Sequence, residues 1–148
     1  MTSETISKQQ PTDAGSSREV PPFLSVVVLA YNEEGNLSSQ VSAILDWFDA
    51  LKANDYACCP DILNHRCGPW GEFGEVIIVN DGSTDDTGEM ADELGQSDPR
   101  IHVVHHESNR GMGTTVRTGY ARARGRFVTQ LPGDGQVGPQ TLERFLPH

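Results

Sequence analysis

The chain has 148 residues and a formal net charge of −10 at pH 7, so its length allows one domain with a single hydrophobic core. The acidic balance argues against binding to nucleic acid or to anionic lipid, since both carry the same sign of charge. The sequence has no apolar run of the roughly 20 residues that cross a bilayer, and its amino terminus does not resemble a secretory signal. Its three cysteines do not make a disulfide framework. We therefore expect a cytoplasmic protein with no transmembrane segment.

Strands and helices are predicted to alternate after a polar amino-terminal segment. Residues 1–22 are predicted to be a disordered tail, and residues 23–148 one folded domain. Phe23 to Ala30 is apolar and β-branched, which predicts a first buried strand. Apolar residues then recur three and four positions apart, which predicts a helix with one face against the sheet. These residues are Leu37, Val41, Ile44, Leu45, Phe48 and Leu51.

The segment from about residue 53 to 74 interrupts the alternation. It contains two prolines, three glycines and all three cysteines, and it is long for a connection in a compact α/β unit. We therefore expect a surface insertion. Zinc binding remains an alternative, although the Cys-x2-Cys spacing of standard sites is missing. The candidate ligands are Cys58, Cys59, His65 and Cys67.

The alternation resumes after the insertion. Glu75 to Val79 predicts a second buried strand, and a helix over about Asp85 to Leu94 follows, with Ser83 or Thr84 as its cap. The remaining predicted elements are a strand at 101–104, a helix marked by Met112, Val116 and Tyr120, a strand at 126–131 and the start of a helix at 141–146. This order predicts an α/β fold with a mostly parallel sheet and helices on both faces.

Three predicted strands end in polar clusters, at residues 31–33, 80–83 and 133–136. A parallel sheet brings such ends to one edge, where open α/β sheets bind their ligands. We expect a nucleotide there, although the dinucleotide fingerprint and the P-loop are both absent. At this edge Asp81 can accept paired hydrogen bonds from a base or help to place a metal ion. The alternative is that Asp81 and Gly82 only form a tight turn.

The neighbouring acids Asp85 and Asp86 have a simpler interpretation open to them. Acids in the first turn of a helix interact favourably with its dipole, and this alone can account for both. We leave the two interpretations, a site role and a helix-terminal role, open for this pair.

Five of the nine arginines lie between residues 110 and 126. Arg110 and Arg117 flank a glycine turn that begins at Gly111 and opens a helix, an arrangement that suits a diphosphate. Arg110, Arg117 and Arg124 also recur every seven residues, near one helical face. A solvated face that balances the acidic bulk is the alternative for Arg122, Arg124 and Arg126.

Together these motifs resemble family-2 glycosyltransferases, and among them most closely the polyprenyl-phosphate sugar synthases. The resemblance covers about residues 25–142. Four motifs carry it in order: Ser25-Val-Val-Val-Leu-Ala-Tyr-Asn-Glu-Glu34, Val79-Asn-Asp-Gly-Ser-Thr-Asp85, Asn109-Arg-Gly-Met-Gly113 with Arg117 and Gly119, and Leu131-Pro-Gly-Asp-Gly-Gln136.

The resemblance implies a glycosyltransferase A (Rossmann-like) fold and an inverting transfer of sugar from a UDP- or GDP-sugar, usually with Mg²⁺ or Mn²⁺. The implied acceptor is a polyprenyl phosphate or a saccharide, the former at the cytoplasmic face of a membrane. By the match, Asp134 would be the catalytic and metal-placing residue beside the diphosphate, and Asp81 would bind the base. The other implied nucleotide-sugar contacts are Ala30, Tyr31, Glu33, Gly82, Arg110, Gly111 and Arg117.

The chain departs from the family pattern in ways that keep other functions open. Pro132 stands where the family usually has the first aspartate of an Asp-x-Asp pair, so only Asp134 remains. The insertion at about residues 53–74 is also unusual for the family. The acceptor-binding half of the family would follow His148, so we expect this chain to be the nucleotide-binding half of the enzyme, incomplete at the C-terminus. A nucleotide-binding module without catalysis is the first alternative. A pyrophosphorylase-like enzyme is the second, but it would need a glycine- and arginine-rich loop at residues 31–34.

Overall fold

The structure, a computed structural model, describes residues 21–53 and 73–145. The predicted tail at 1–22 and the predicted insertion at about 53–74 lie almost entirely outside the described residues. Ala53 is the last residue of a helix and Gly74 the first of a strand. The candidate zinc ligands lie outside the described residues as well; they are Cys58, Cys59, His65 and Cys67.

The described residues form an α/β fold with a wholly parallel four-stranded sheet in the order β3-β2-β1-β4. The predicted alternation of strands and helices is confirmed, and each predicted strand lies within one or two residues of its observed bounds. The elements are β1 Leu24–Ala30, α1 Leu37–Ala53, β2 Gly74–Asn80, α2 Thr87–Ser97, β3 Ile101–His105, α3 Met112–Arg122, β4 Phe127–Pro132 and a 3-10 segment Pro139–Phe145.

Different helices cover the two faces of the sheet, as the sequence predicts. Successive side chains of a strand point to opposite faces, so Val26 and Val28 are buried in one cluster with α1 and α2 residues such as Ile44 and Ala91. Val27 faces the other way, into a smaller cluster under α3. Each fully buried side chain of this size contributes about 1.5–3 kcal/mol to folding.

The predicted third helix is confirmed as α3, but the apolar residues that mark it do not form its buried face. Met112 and Tyr120 are exposed, at 73% and 44%, whereas Thr115 and Gly119 form the buried face. A Cβ added at Gly119 would lie 2.2 Å from Val27 Cγ1, so the missing side chain is what lets the helix approach β1. Small residues rather than large ones mark the buried face, and a search for large apolar residues misses them.

Two other local predictions are also wrong. The residue that precedes α2 is Asp86, and its side chain makes no cap hydrogen bond, so neither Ser83 nor Thr84 is the cap. The last predicted helix is a 3-10 segment, attached to α1 by the Trp47 indole N–H, which donates to Glu143 Oε1 at 3.2 Å.

A buried carboxylate ties the elements together at the amino-terminal edge of the sheet. Glu75 accepts hydrogen bonds from the Ser25 hydroxyl at 2.7 Å, and from the Arg124 N–H and Nε at 2.7 and 2.9 Å. Burial would raise the pKa of Glu75, but these hydrogen bonds outweigh it and hold the pKa below its usual range. Arg110 and Arg124 lie outside α3, so they and Arg117 do not share a helical face, and Arg124 has a structural role.

Candidate functional site

The carboxyl ends of β1, β2 and β4 surround one open cleft of about 320 Å³. The fold brings six of the predicted site residues to it, from four separate segments of the chain. These residues are Ala30, Tyr31, Glu33, Asp81, Gly111 and Asp134. The sequence does not predict the further contributions of Leu29, Asn109 and Thr115, which line the cleft as well.

The loops that follow β1 and β2 hold each other by reciprocal hydrogen bonds. Asn32, at φ 55°, donates its N–H to Ser83 Oγ at 3.0 Å and accepts the Thr84 N–H at 2.9 Å. The Glu33 N–H donates to Thr87 Oγ1 at 2.7 Å. This arrangement, the interloop clasp, comprises residues 32–34 and 83–87. It fixes the position of Glu33 at the rim of the cleft.

Asp85 and Asp86 belong to the same clasp. Asp85 Oδ2 accepts the Glu34 N–H at 3.3 Å, and its Oδ1 accepts the Thr87 N–H at 3.1 Å. The Asp86 N–H in turn donates to Glu34 Oε2 at 3.1 Å. Desolvation acts to raise the pKa of Asp85, but hydrogen bonds from Thr87 and Glu34 outweigh it and lower the pKa. The Asp85 carboxylate therefore joins the two loops, beyond any interaction with the helix dipole, whereas Asp86 joins them through its backbone N–H alone.

Asp81 is the most tightly held side chain of the cleft, at 4% exposure. Its Oδ1 lies 2.6 Å from His106 Nδ1 and accepts the Arg110 N–H at 2.9 Å, and its Oδ2 accepts the Gly111 N–H at 2.9 Å. Burial would raise the pKa of Asp81, yet the hydrogen bonds from His106, from the Thr115 side chain and from the two backbone groups outweigh it and lower the pKa. The carboxylate is held ionised, and its oxygens are largely occupied by the protein.

His106 is the functional neighbour that the sequence does not reveal. It follows β3 directly, is 8% exposed and joins its Nε2 to Thr118 Oγ1 at 2.9 Å. Because a carboxylate only accepts, the proton on the Asp81 side belongs to His106 Nδ1. The pair spans 25 residues in sequence. The only sequence signal is a histidine placed where a third parallel strand ends.

Asp134 lies in the turn after β4 and is partly exposed to the cleft. Its Oδ1 accepts the Gln136 N–H at 2.9 Å, and the described residues offer no recorded donor to Oδ2. Across the turn, a Cβ added at Gly133 would lie 3.5 Å from Glu33 Cγ. No three acidic, histidine or cysteine side chains of the described residues form a group that could hold a metal ion. Asp134 therefore offers a divalent cation one carboxylate, without a three-residue cluster around it among the described residues.

Pro132 occurs at a position that tolerates proline. β4 is an edge strand and pairs with β1, with Leu29 opposite Pro132. The Phe127 N–H donates to Phe23 O at 3.0 Å and the Gly133 N–H to Leu29 O at 2.8 Å. Since N–H groups alternate in direction along a strand, the Pro132 nitrogen faces the outer edge. Proline at this position therefore loses no hydrogen bond to β1. It does leave the cleft without the carboxylate that an aspartate at position 132 would supply.

Three predicted site residues do not line the cleft. Gly82, at φ 69°, forms the turn after β2, and a Cβ there would lie 2.3 Å from the backbone of Ser108. Arg110 contacts Asp81 through its backbone and exposes its side chain, and Arg117 is exposed on α3. Gly82 forms a tight turn, and both arginines lie outside the walls of the cleft.

Comparison with known proteins gives one family. Residues 25–148 match the family model described as glycosyl transferase family 2. The chain is 31% identical over 125 residues to a polyprenol monophosphomannose synthase of Mycolicibacterium smegmatis, covering 82% of this chain and 38% of that protein. It is 31% identical over 113 residues to the dolichyl-phosphate beta-glucosyltransferase ALG5A of Trichomonas vaginalis, covering 76% and 31%. The chain thus spans about a third of the length of these relatives.

Solved structures with low sequence identity share the fold. S. aureus TarS 1-349 in complex with UDP-GlcNAc aligns with a TM-score of 0.56 at 23% identity, covering 82% of this chain and 29% of that one. The mannosyltransferase PcManGT of Pyrobaculum calidifontis, in complex with GDP-Man and Mn²⁺, aligns with a TM-score of 0.54 at 20% identity, covering 85% and 31%. Among the helices described here, none has the length and apolarity to span a bilayer.

Proposed function

The chain belongs to glycosyl transferase family 2, and from this premise we propose that residues 23–148 are the nucleotide-sugar-binding domain of a glycosyltransferase. The proposed reaction moves a sugar from a UDP- or GDP-sugar to an acceptor and inverts the anomeric carbon. The observation that carries the proposal is the cleft, where three parallel strand ends bring Glu33, Asp81 and Asp134 together. Open α/β sheets bind ligands at this edge.

The base and ribose would occupy the part of the cleft nearest β1 and β2. Ala30 and Tyr31 supply its wall, and Asp81 supplies a fixed negative acceptor for a base N–H. The carboxylate is positioned before any ligand arrives, so little ordering entropy remains to be lost on binding. Glu33, held by the interloop clasp, faces the ribose in this proposal.

The diphosphate would extend from the base towards the turn that holds Asp134. A bound Mg²⁺ or Mn²⁺ would offset the negative charge of the diphosphate leaving group. Asp134 would hold that ion with one carboxylate oxygen, while Gly111 and the exposed side chains of Arg110 and Arg117 approach the phosphates from the start of α3. Gly82 contributes through the turn that places Asp81.

We propose a polyprenyl phosphate as the acceptor. Two relatives are named for such lipids, a polyprenol monophosphomannose synthase and a dolichyl-phosphate beta-glucosyltransferase. A phosphate oxygen is already an anionic nucleophile at neutral pH, so the reaction would need no general base from the cleft. Such an acceptor would bring the protein to the cytoplasmic face of a membrane.

A nucleotide-binding module without turnover is the second candidate. The observation that favours it is Pro132, which leaves Asp134 as a single carboxylate beside the proposed diphosphate position. One carboxylate can hold Mg²⁺ together with phosphates and water, but with lower affinity than two.

Release of nucleotide from sugar nucleotides separates the two candidates. The purified chain is incubated with UDP-glucose and with GDP-mannose, with Mn²⁺ and a polyprenyl phosphate, and released UDP or GDP is measured. The same reaction with Asp134→Asn is the matched control. Metal-dependent release that this variant lacks supports the transferase. Nucleotide binding without any release supports the module, and no binding at all contradicts both.

A further inference from the structure

His105, the last residue of β3, is connected by hydrogen bonds to the turn that follows β2. Its Nδ1 lies 3.0 Å from Asn80 Nδ2. The oxygen of the same amide, Asn80 Oδ1, accepts the Ser83 N–H at 3.1 Å. This chain of hydrogen bonds, the β3 relay, comprises His105, Asn80 and Ser83. Because Ser83 belongs to the interloop clasp, the relay joins a partly exposed ring to the loops that border the cleft.

The relay is compatible with only one protonation state of the ring. A backbone N–H only donates, so the Asn80 atom that meets Ser83 is the amide oxygen, and the amide nitrogen faces His105. That nitrogen also only donates, so Nδ1 must be the acceptor and carry no proton. Nε2 lies 3.0 Å from Asp92 Oδ1, which accepts, as an amide oxygen there also would. The ring is therefore neutral, with its proton on Nε2.

A second proton on the ring would break the relay. Nδ1 would become a donor and would face the donor Asn80 Nδ2. Turning the amide over does not resolve the conflict, because its nitrogen would then face the Ser83 N–H. The amide is also confined, since Asn80 is 6% exposed and a Cβ added at Gly88 would lie 3.1 Å from its Nδ2. Whichever group moves, one hydrogen bond of the relay is lost when His105 is charged.

The surroundings of the ring make it the member of the relay that responds to pH. Histidine ordinarily changes its charge between about pH 5 and 8. β3 packs against β2 and α2, and there the ring contacts the neutral amide of Asn80 and the carboxylate of Asp92. The adjacent His106 contacts Asp81 instead. The remaining charged groups of α2 and of the residues just after β3 are exposed acids, namely Glu89, Glu93 and Glu107.

The other end of the relay reaches the wall of the cleft. Ser83 Oγ accepts the Asn32 N–H at 3.0 Å, and Asn32 stands between Tyr31 and Glu33, which both line the cleft. Resting on the function proposed above, we propose that His105 is a positioning residue that orders the loop after β1 for the sugar nucleotide while its ring is neutral. An ordered loop has less entropy to lose on binding, so donor affinity falls when the ring gains a proton.

The pH dependence of donor binding tests this proposal. The purified chain is titrated by calorimetry with UDP-glucose and with GDP-mannose, each with Mn²⁺, at about pH 7.5 and about pH 5.5. Both probes are diphosphate diesters, whose phosphates stay ionised in this range. We expect the wild-type dissociation constant to rise roughly two- to tenfold at the lower pH, the effect of one lost hydrogen bond.

Two histidine variants separate this effect from other titrating groups. His105→Gln offers Asn80 an acceptor that takes up no proton, so its dissociation constant should rise less than that of the wild type. His102→Gln is the matched control, because His102 lies on the same strand, is equally exposed at 40% and also contacts a carboxylate, that of Glu75. It should keep the wild-type rise. Equal rises in the wild type and in His105→Gln would overturn the proposal and leave the proposed function standing.

A measurement without ligand decides the relay independently of the proposed function. Across a pH titration followed by NMR, the backbone amide resonance of Ser83 should shift with the same midpoint as the ring resonances of His105. In His105→Gln this transition should be lost. A Ser83 amide that does not follow the ring in the wild type would overturn the relay, whether or not the variant folds. Binding of neither probe at either pH would instead overturn the proposed function, and with it the effect on affinity.

Discussion

At the scale of single residues, Asp81 has a place in the fold as well as in the proposed nucleotide site. Its carboxylate joins the end of β2 to the segment before α3 through His106, Arg110 and Gly111. Removing this carboxylate should change the geometry of the cleft as well as the proposed contact with a base. The two effects have different measurements, so a variant at this position can be interpreted only when both are made.

We expect Asp81→Asn to weaken nucleotide binding and to lower the free energy of unfolding by about 1–3 kcal/mol. An amide presents N–H donors on one side, and these would face the Gly111 N–H that Oδ2 now accepts. Urea denaturation and calorimetric titration with UDP give the two quantities. Asp92→Asn, on exposed α2, is the control for an acid lost elsewhere. Wild-type UDP affinity in folded Asp81→Asn would remove Asp81 from the site.

Asp134 and Pro132 concern the metal rather than the base. We expect Asp134→Asn to abolish the gain in nucleotide affinity on adding Mn²⁺, because Pro132 stands where the family usually has a second aspartate. Pro132→Asp should enlarge that gain, since a second oxygen ligand raises affinity for a hard cation. Titrations with and without Mn²⁺ measure both, with Glu89→Gln on α2 as control. If Mn²⁺ raises nucleotide affinity equally in the wild type and in the three variants, neither position holds the metal.

At the scale of elements, the strands are predictable and the faces of the shorter helices are not. β1 and β2 each contain an unbroken apolar run, at residues 26–30 and 76–79, that is buried against both faces of the sheet, so the local sequence pattern agrees with the tertiary environment. In α3 they disagree, because Thr115 and Gly119 are buried while Met112 is exposed. Close approach of a helix to a sheet is a property of the pair of elements, and the sequence of one element does not contain it.

The two glycines of α3 give a direct test of this packing. Gly119→Ala should lower the free energy of unfolding by about 1–3 kcal/mol, because its Cβ would lie 2.2 Å from Val27 Cγ1. Gly113→Ala meets nothing within 4 Å and should stabilise the helix by about 0.5 kcal/mol. Chemical denaturation of the two variants side by side measures the contrast. Equal effects of the two substitutions would mean that α3 is not held against β1 as described.

The polar part of the site was predictable for a topological reason. Parallel strands place their carboxyl ends at one edge, so Glu33, Asp81 and Asp134 could be brought together from the order of elements alone. The hydrogen bonds that connect them could not. His106 reaches Asp81 across 25 residues, and no local pattern records which of several polar side chains at a strand end faces its neighbour.

At the scale of the whole molecule, charge is unevenly distributed. The net charge is −10, yet residues 108–133 contain five arginines and no acidic residue. This stretch includes the start of α3, which lies at the cleft. The segment that contains α3 therefore carries charge opposite in sign to the net charge, and the average charge of the chain is a poor guide to which ligands it attracts.

We expect UDP binding to weaken several-fold as NaCl rises from about 50 to about 500 mM, because salt screens the exposed arginines. Replacing both Arg110 and Arg117 by Gln should reduce this salt dependence, whereas Arg144→Gln, at the end of the 3-10 segment, should not. Titration of the three proteins at several salt concentrations gives the slopes. If UDP affinity depends equally on salt concentration in all three proteins, neither arginine contributes to the electrostatic attraction of the nucleotide.

Acid should destabilise the fold within a defined range of pH. Glu75 and Asp81 both have folded-state pKa values below their usual ones. Their contribution is therefore present above the unfolded values, about 4.3 and 3.9, and is lost as pH falls through the folded values. The free energy of unfolding should be level between about pH 7 and 5 and fall below about pH 4. Urea curves at several pH values test this, and Glu75→Gln should show a shallower fall.

The interloop clasp has a consequence for how relatives of this protein are recognised. Most side chains of the Asn-Asp-Gly-Ser-Thr-Asp-Asp-Thr string bind the neighbouring loop or form the turn, and Asp81 alone among them lines the cleft. A relative without transferase activity would still need these hydrogen bonds to fold and should keep the string. Pseudoenzymes in such a lineage should therefore carry the full signature, and the turn around Asp134 should be where they first diverge.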